Sequence, residues 1–322
     1  MHRIVVLGRI GYDLYSEERH VPLQRVRRFR CGLGGSSANI AVGLARLGCS
    51  VRMVAATSED AIGQFLLSAL ADEHVDTSLV QFVRGHNTSL CLTEVSPPHS
   101  FEQVFYRANP VDACLTWNDS IGQALGECSF FVTNGTSLCA HPSREATLRA
   151  LRLAKESGAT TVFDVDYRAS SWDSPADAGA SAMAAWPWID VLIANAAEIR
   201  LLAVPGSSHV SEFEIAVGAL SRGVRLVIWK QGNEGATALA QDRQVHIPAF
   251  PVTVTSTIGA GDGFAAGFVY AQAEGKPLEE SLLYGNACAA CVVQQVGCSE
   301  AMPTLPELLL FLRENSPAPK KR

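Results

Sequence analysis

Ser256-Thr257-Ile258-Gly259-Ala260-Gly261-Asp262-Gly263-Phe264 follows a strand-like run, Val252–Thr255, and opens an apolar helix. Gly259 and Gly261 can take backbone angles that other residues resist. Successive N–H groups can therefore converge on a phosphate, and the helix N-terminus adds its partial positive charge. A carboxylate beside such a site repels the anion, so Asp262 makes chemical sense if it accepts a proton from an attacking hydroxyl. Read from its neighbours alone, it fits equally well a helix-terminal carboxylate that satisfies backbone donors.

Outward from this stretch, short β-branched runs recur at Ile4–Leu7, Val51–Ala55, Phe130–Thr133, Thr161–Phe163, Val191–Ile193 and Leu226–Trp229. Between them lie segments of helical spacing such as Ala38–Leu47, Arg144–Lys155 and Glu214–Arg222. Such alternation predicts an α/β fold of parallel strands joined by crossover helices. Two segments break the rhythm, about 12–34 and 88–107. Each alternates apolar and polar residues and neither leads directly into a helix, so they predict a small β-sheet appendage over one end of the main sheet. The C-terminal third reads as helices over Gly263–Glu274, Leu278–Val293 and Pro306–Glu314, and the Pro/Lys-rich tail 316–322 reads as disordered. One domain over 1–315 is expected.

The composition narrows the function. Of 322 residues 48% are hydrophobic and only 18% charged, which demands burial of both sheet faces. A net charge of −6 argues against a nucleic-acid partner, which needs a basic face to displace phosphate counterions. The arginines at 25, 27, 28 and 30 read as a solvated edge strand. No apolar run approaches the ~20 residues that span a bilayer, and Ile4–Leu7 follows Met1 without a signal-peptide layout, so no membrane partner and a cytoplasmic location are expected. Nine cysteines, with no two Cys-x-x-Cys motifs to pair, suit a reducing compartment. Cys288 and Cys291, one helical turn apart, lack the further ligands a structural zinc requires. No Gly-x-x-x-x-Gly-Lys-Ser/Thr occurs, and Gly32-Leu33-Gly34-Gly35 lacks the preceding strand of a dinucleotide fingerprint.

The Gly259-Ala260-Gly261-Asp262 signature, taken with Gly34, Gly35 and Asn39 near the N-terminus, resembles the ribokinase-like (PfkB) sugar kinases over about residues 3–313. The resemblance implies a doubly wound, mostly parallel central sheet with helices on both faces and a small β-sheet lid. It also implies ATP and Mg2+ as cofactors. Asp262 then corresponds to the family's catalytic base, and Gly259, Ala260 and Gly261 to its anion hole. Gly8 and Asp13 match the family's first motif, and Asp13, Gly34, Gly35 and Asn39 would hold sugar hydroxyls. Asn195-Ala196-Ala197-Glu198 resembles the Asn-x-x-Glu motif, in which Glu198 would organise magnesium through water. Lys230, Gly232 and Gly235 resemble the loop over the nucleotide, and Asn286 falls where adenine is bordered. Many relatives carry an Asp, associated with a monovalent-cation site, where this chain has Ser256.

Phe105-Tyr106-Arg107 and Phe163-Asp164-Val165-Asp166-Tyr167-Arg168 resemble segments of the family's kinases of keto-deoxy sugar acids. Arginine suits a carboxylate because its planar fork binds both oxygens, so Arg107 and Arg168 become candidates for the acid. Pro142–Ala146 and Ala301–Thr304 bring the resemblance nearest to kinases of a 5-dehydro-2-deoxy acid in inositol catabolism, with the 2-dehydro-3-deoxy acid as the alternative. A catalytically silent sugar sensor would have no need of a base at Asp262. The open lid leaves sheet edges needing cover, so a homodimer through the lid is expected.

Overall fold

Ile4, Val5, Val6 and Leu7 are all buried, Ile4 and Val6 in one half of the core and Val5 and Leu7 in the other. A strand whose alternate side chains both enter apolar layers has to be central in a sheet covered on two sides. The computed structural model, which describes residues 2–97, 101–203 and 209–315, has this arrangement. The sheet has nine strands: β1 (Arg3–Leu7), β4 (Ser50–Ser58), β5 (Asp76–Val83), β8 (Phe130–Asn134), β9 (Thr160–Asp164), β10 (Val191–Asn195), β11 (Leu226–Lys230), β12 (Ala236–Leu239) and β13 (Gln244–Ile247). Their spatial order is β13-β12-β11-β10-β9-β8-β1-β4-β5, parallel except for the antiparallel β12 and β13.

The layer on the Ile4 side is built from α1 (Ser36–Arg46), α2 (Ala61–Asp72), α8 (Ala260–Ala273), α9 (Leu278–Val293) and α10 (Leu305–Asn315). The other contains α3 (Asp119–Gly126), α4 (Ser143–Glu156), α5 (Pro175–Ala185), α6 (Ala196–Leu201) and α7 (Glu212–Leu220). The four remaining strands, β2 (Gly11–Ser16), β3 (Phe29–Gly34), β6 (Leu90–Thr93) and β7 (Gln103–Tyr106), form a separate sheet in the order β3-β2-β6-β7. They fall inside the two segments that break the strand–helix rhythm. The arginine-rich stretch leads into β3, an edge of this sheet.

From β1 the main sheet grows through β4 and β5 on one side, then resumes at β8 on the other. The carboxyl ends of β1 and β8 therefore flank a topological switch point, where open α/β sheets offer a crevice. Ser37 of α1 closes its floor by donating to the carbonyl of Leu7 at 3.2 Å and accepting from Asn134 Nδ2 at 2.9 Å.

The sequence reading departs from the structure in four places. Val252–Thr255 is not a strand: with no strand beside it, the N–H groups of Thr255 and Ser256 both reach the carbonyl of Val293 at the end of α9. Strands β5, β12 and β13 were not expected. The tail 316–322, read from the sequence as disordered, lies outside the described residues.

Candidate active site

Gly259 caps α8 in the left-handed conformation, φ 82°, and a side chain there would sit about 3.1 Å from Cys298. It turns the chain so that the first turn of α8 opens onto the crevice, with the Ala260 N–H held by the Thr257 carbonyl at 3.4 Å. Asp262, in that turn and 8% exposed, is clamped at both oxygens. Ser36 Oγ donates to Oδ1 at 2.7 Å and Asn39 Nδ2 to Oδ2 at 2.8 Å, both from the first turn of α1. Burial, with Asp166 adding to it, pushes the Asp262 carboxyl above its ordinary range, and the bonds from Asn39 and Ser36 pull it part of the way back.

Beside this carboxylate lies a cavity of about 320 Å³ lined by Asp164, Asp166, Arg168, Asn195, Glu198 and Lys230 from the strand ends, by residues 257–259, 261 and 262, and by Phe101 and Gln103 from the lid. Lys230 Nζ binds both Asp164 oxygens at 3.0 and 2.9 Å, and a side chain at Gly261 would begin 3.3 Å from it. Burial works against its charge, but Asp164 and Glu198 hold the ammonium above its usual range. Arg168 Nη2 pairs with Asp166 at 3.1 Å.

Asn195 and Glu198 cap α6 reciprocally. Glu198 Oε2 accepts from the Asn195 N–H at 2.7 Å and Oε1 from the Tyr167 N–H at 3.1 Å. Both oxygens are thus oriented by backbone donors, with lone pairs left toward the cavity. Among the described residues no group of three or more His, Cys, Asp or Glu gathers to hold a metal ion. One oriented carboxylate at a cavity wall fits magnesium carried in with a nucleotide's phosphates and its own waters, Glu198 acting from the outer shell.

On the lid side, Asp13 accepts a 2.8 Å hydrogen bond from Tyr15, and burial pushes its carboxyl up to about 6. Gly34 makes room for it: a side chain there would overlap the Asp13 carboxyl group, 2.1 Å away. Gly35, at φ 93°, turns β3 into α1. Asn39, expected on sugar hydroxyls, turns its amide nitrogen to Asp262 and leaves Oδ1 without a partner.

Two expectations fall elsewhere. Arg107 does not face the cavity: its side chain is 4% exposed and gives Nη2 to Asp112 at 2.8 Å and Nη1 to Asp112 and Ser89 at 3.2 and 3.1 Å. Asn286 spends its amide on the carbonyls of Ile247 and Pro248, tying α9 to the end of β13. Gly232 and Gly235 bound a short turn after β11, with Gly235 packed against the Ile247 carbonyl. Sequence reasoning passed over Ser36, which sits inside the Gly-Gly-x-x-x-Asn spacing, and Asp166 and Tyr15, each two residues from a residue that had been singled out.

A model of the pfkB family of carbohydrate kinases matches residues 1–305. The chain is 34% identical over 314 residues to a 5-dehydro-2-deoxygluconokinase of Clostridium beijerinckii, covering 97% of this chain and 93% of that one. A protein of the same name from Geobacillus kaustophilus is 31% identical over 313 residues, with the same coverage of each chain. Among solved structures, a fructokinase with bound ATP from Xylella fastidiosa superposes with a TM-score of 0.85 at 24% identity, covering 97% of this chain and 98% of that one, a likeness of fold. A carboxylate clamped at a helix N-terminus over a switch-point crevice, under a small sheet, thus belongs to a chain that matches one family nearly end to end: this protein is a member of the pfkB family of carbohydrate kinases.

Proposed function

We propose that this kinase transfers the γ-phosphoryl group of ATP to the terminal primary hydroxyl of a keto-deoxy sugar acid, 5-dehydro-2-deoxy-D-gluconate, as in the breakdown of myo-inositol. The observation that carries the reading is Asp262, held by Ser36 and Asn39 beside the open N-terminus of α8. The choice of acid is supported by the two relatives of that name, which align with nearly the whole chain.

The sugar acid lies under the lid with its hydroxyls toward Asp13 and Asn39. Asp262 takes the proton of the terminal hydroxyl as its oxygen forms a bond to the γ-phosphorus. The bond from that phosphorus to the bridging oxygen of ADP breaks in line with it. The N–H groups of Gly259, Ala260 and Gly261 stabilise the charge that spreads over the transferring oxygens, and Lys230 and Arg168 add positive charge at the same wall. Magnesium, when bound with the nucleotide, neutralises phosphate charge, with Glu198 orienting its waters. Asn195 and the turn from Gly232 to Gly235 face the nucleotide, and Asn286 supports that turn from α9.

An ADP-release assay with Mg-ATP tests this against 5-dehydro-2-deoxygluconate, 2-dehydro-3-deoxygluconate, ribose, fructose and adenosine. The expected result is the highest kcat/KM on the first. Preference for the second would move the substrate and keep the chemistry. Preference for a neutral sugar or adenosine would overturn the sugar-acid reading.

A further inference from the structure

Arg9 stands two residues beyond β1, at the switch point, and is only 6% exposed. Its carbonyl accepts from the Ala38 N–H at 3.4 Å, which seats its backbone under the first turn of α1, the turn that holds Asp262. Its Nη1 lies 3.2 Å from where a side chain on Gly11 would begin, so the glycine leaves it space. Its positive charge reaches Asp13 and Cys91 on the lid strands, where it offsets part of the upward push of burial on both. The head group is therefore directed at the floor of the lid.

Its surroundings set it apart from the other cations described above. Arg107 has Asp112, Arg168 has Asp166 and Lys230 has Asp164, at 2.8, 3.1 and 2.9 Å. Arg107 and Arg168 each also leave Nε without a partner, but their charges are met. Arg9 makes no ion pair with any described residue, and its buried Nε has no hydrogen-bond partner. A guanidinium cannot shed its proton, and leaving it buried without a counter-ion is costly. Such a group is an anion site waiting for its anion, and a planar fork matches a carboxylate at both oxygens.

We propose that Arg9 is the residue that binds the substrate's carboxylate and so sets the preference for sugar acids over neutral sugars. This rests on the sugar-acid reading above. It gives Arg107 a different part, to brace the end of β7 against Asp112, and leaves Arg168 to the phosphate wall.

The test compares wild type, Arg9→Met and Arg9→Lys on the acid and on a neutral analogue whose carboxylate is reduced to a primary alcohol. Arg9→Met is expected to lose about 10²-fold in kcat/KM on the acid, through KM, and less than threefold on the alcohol, with the KM for ATP unchanged. Arg9→Lys keeps the charge without the fork and is expected to lose about tenfold on the acid alone. Without ligand, Arg9→Met should melt no lower than wild type, because it removes an unpaired buried charge. Equal losses on acid and alcohol, no loss on the acid, or a lower melting temperature with unchanged discrimination would overturn the assignment while sparing the sugar-acid reading. A wild type that does not favour the acid would overturn both. If Arg9→Met fails to fold, Arg9→Lys decides: a loss confined to the acid supports the role, and any other pattern refutes it.

Discussion

Asp262 has to be ionised to accept a proton, yet burial favours its protonated form, so the two donors that grip it tune the reaction. Removing one should shift the balance toward the proton-bound form. Ser36→Ala is expected to move the acid limb of the kcat–pH profile upward by about one pH unit, so that the loss is greatest at low pH and shrinks as pH rises. An unshifted limb would show that Ser36 does not act on the base. Asp13 allows a sharper statement. Its carboxyl stands at about 6 in the folded chain against an ordinary 3.8, so the native state binds this proton more tightly than the unfolded one. The stability it contributes is complete below the ordinary value and is lost as pH rises through 6. Asp13→Asn should therefore raise stability near pH 8, by about 3 kcal/mol at most, and with it the melting temperature, and leave both unchanged near pH 3.5, while weakening sugar binding. A lower melting temperature at pH 8 would contradict this. Asp262, Gly259 and Glu198 could be read from the sequence because their motifs are local. Ser36, Arg9 and Asp112 could not, because what distinguishes each is a partner, or the lack of one, brought near by the fold.

At the scale of elements, the lid was legible through its alternation of apolar and polar residues, although β3 runs straight into α1 through Gly35. Strands β12 and β13 were not, being two four-residue runs, Ala236–Leu239 and Gln244–Ile247, that pair with each other after the parallel rhythm has ended. Val252–Thr255 shows the opposite error: β-branched residues make a strand only where an edge is free to receive them. The Arg107–Asp112 pair belongs at this scale, since it fastens the end of β7 to the turn over Val111–Cys114. Both partners are nearly inaccessible, at 4% and 6% exposure, so removing one leaves a buried charge. Asp112→Asn is expected to cost about 3–5 kcal/mol in a chemical-denaturation experiment. A cost below about 1 kcal/mol would mean the pair is solvated and free for another role.

At the scale of the molecule, the crevice follows from the winding of the sheet, because the carboxyl ends of parallel strands meet at the reversal of strand order wherever the sheet is wound both ways. The second sheet then has to be stable over that crevice. Its edges are β3 and β7, and β7 exposes Val104 and Tyr106, so we propose that two chains pair through their lids. Light scattering should give a mass near twice 34.4 kDa, and a monomer at working concentration would contradict the pairing. The central claim is narrower, that one buried carboxylate at the N-terminus of α8 draws the proton from the substrate's hydroxyl. The measurement that tests it most directly is kcat of Asp262→Asn at saturating sugar acid and ATP, with both dissociation constants measured alongside. The account predicts a fall of about 10²–10⁴ in kcat with binding of both substrates retained. A kcat within a few-fold of the parent would contradict it.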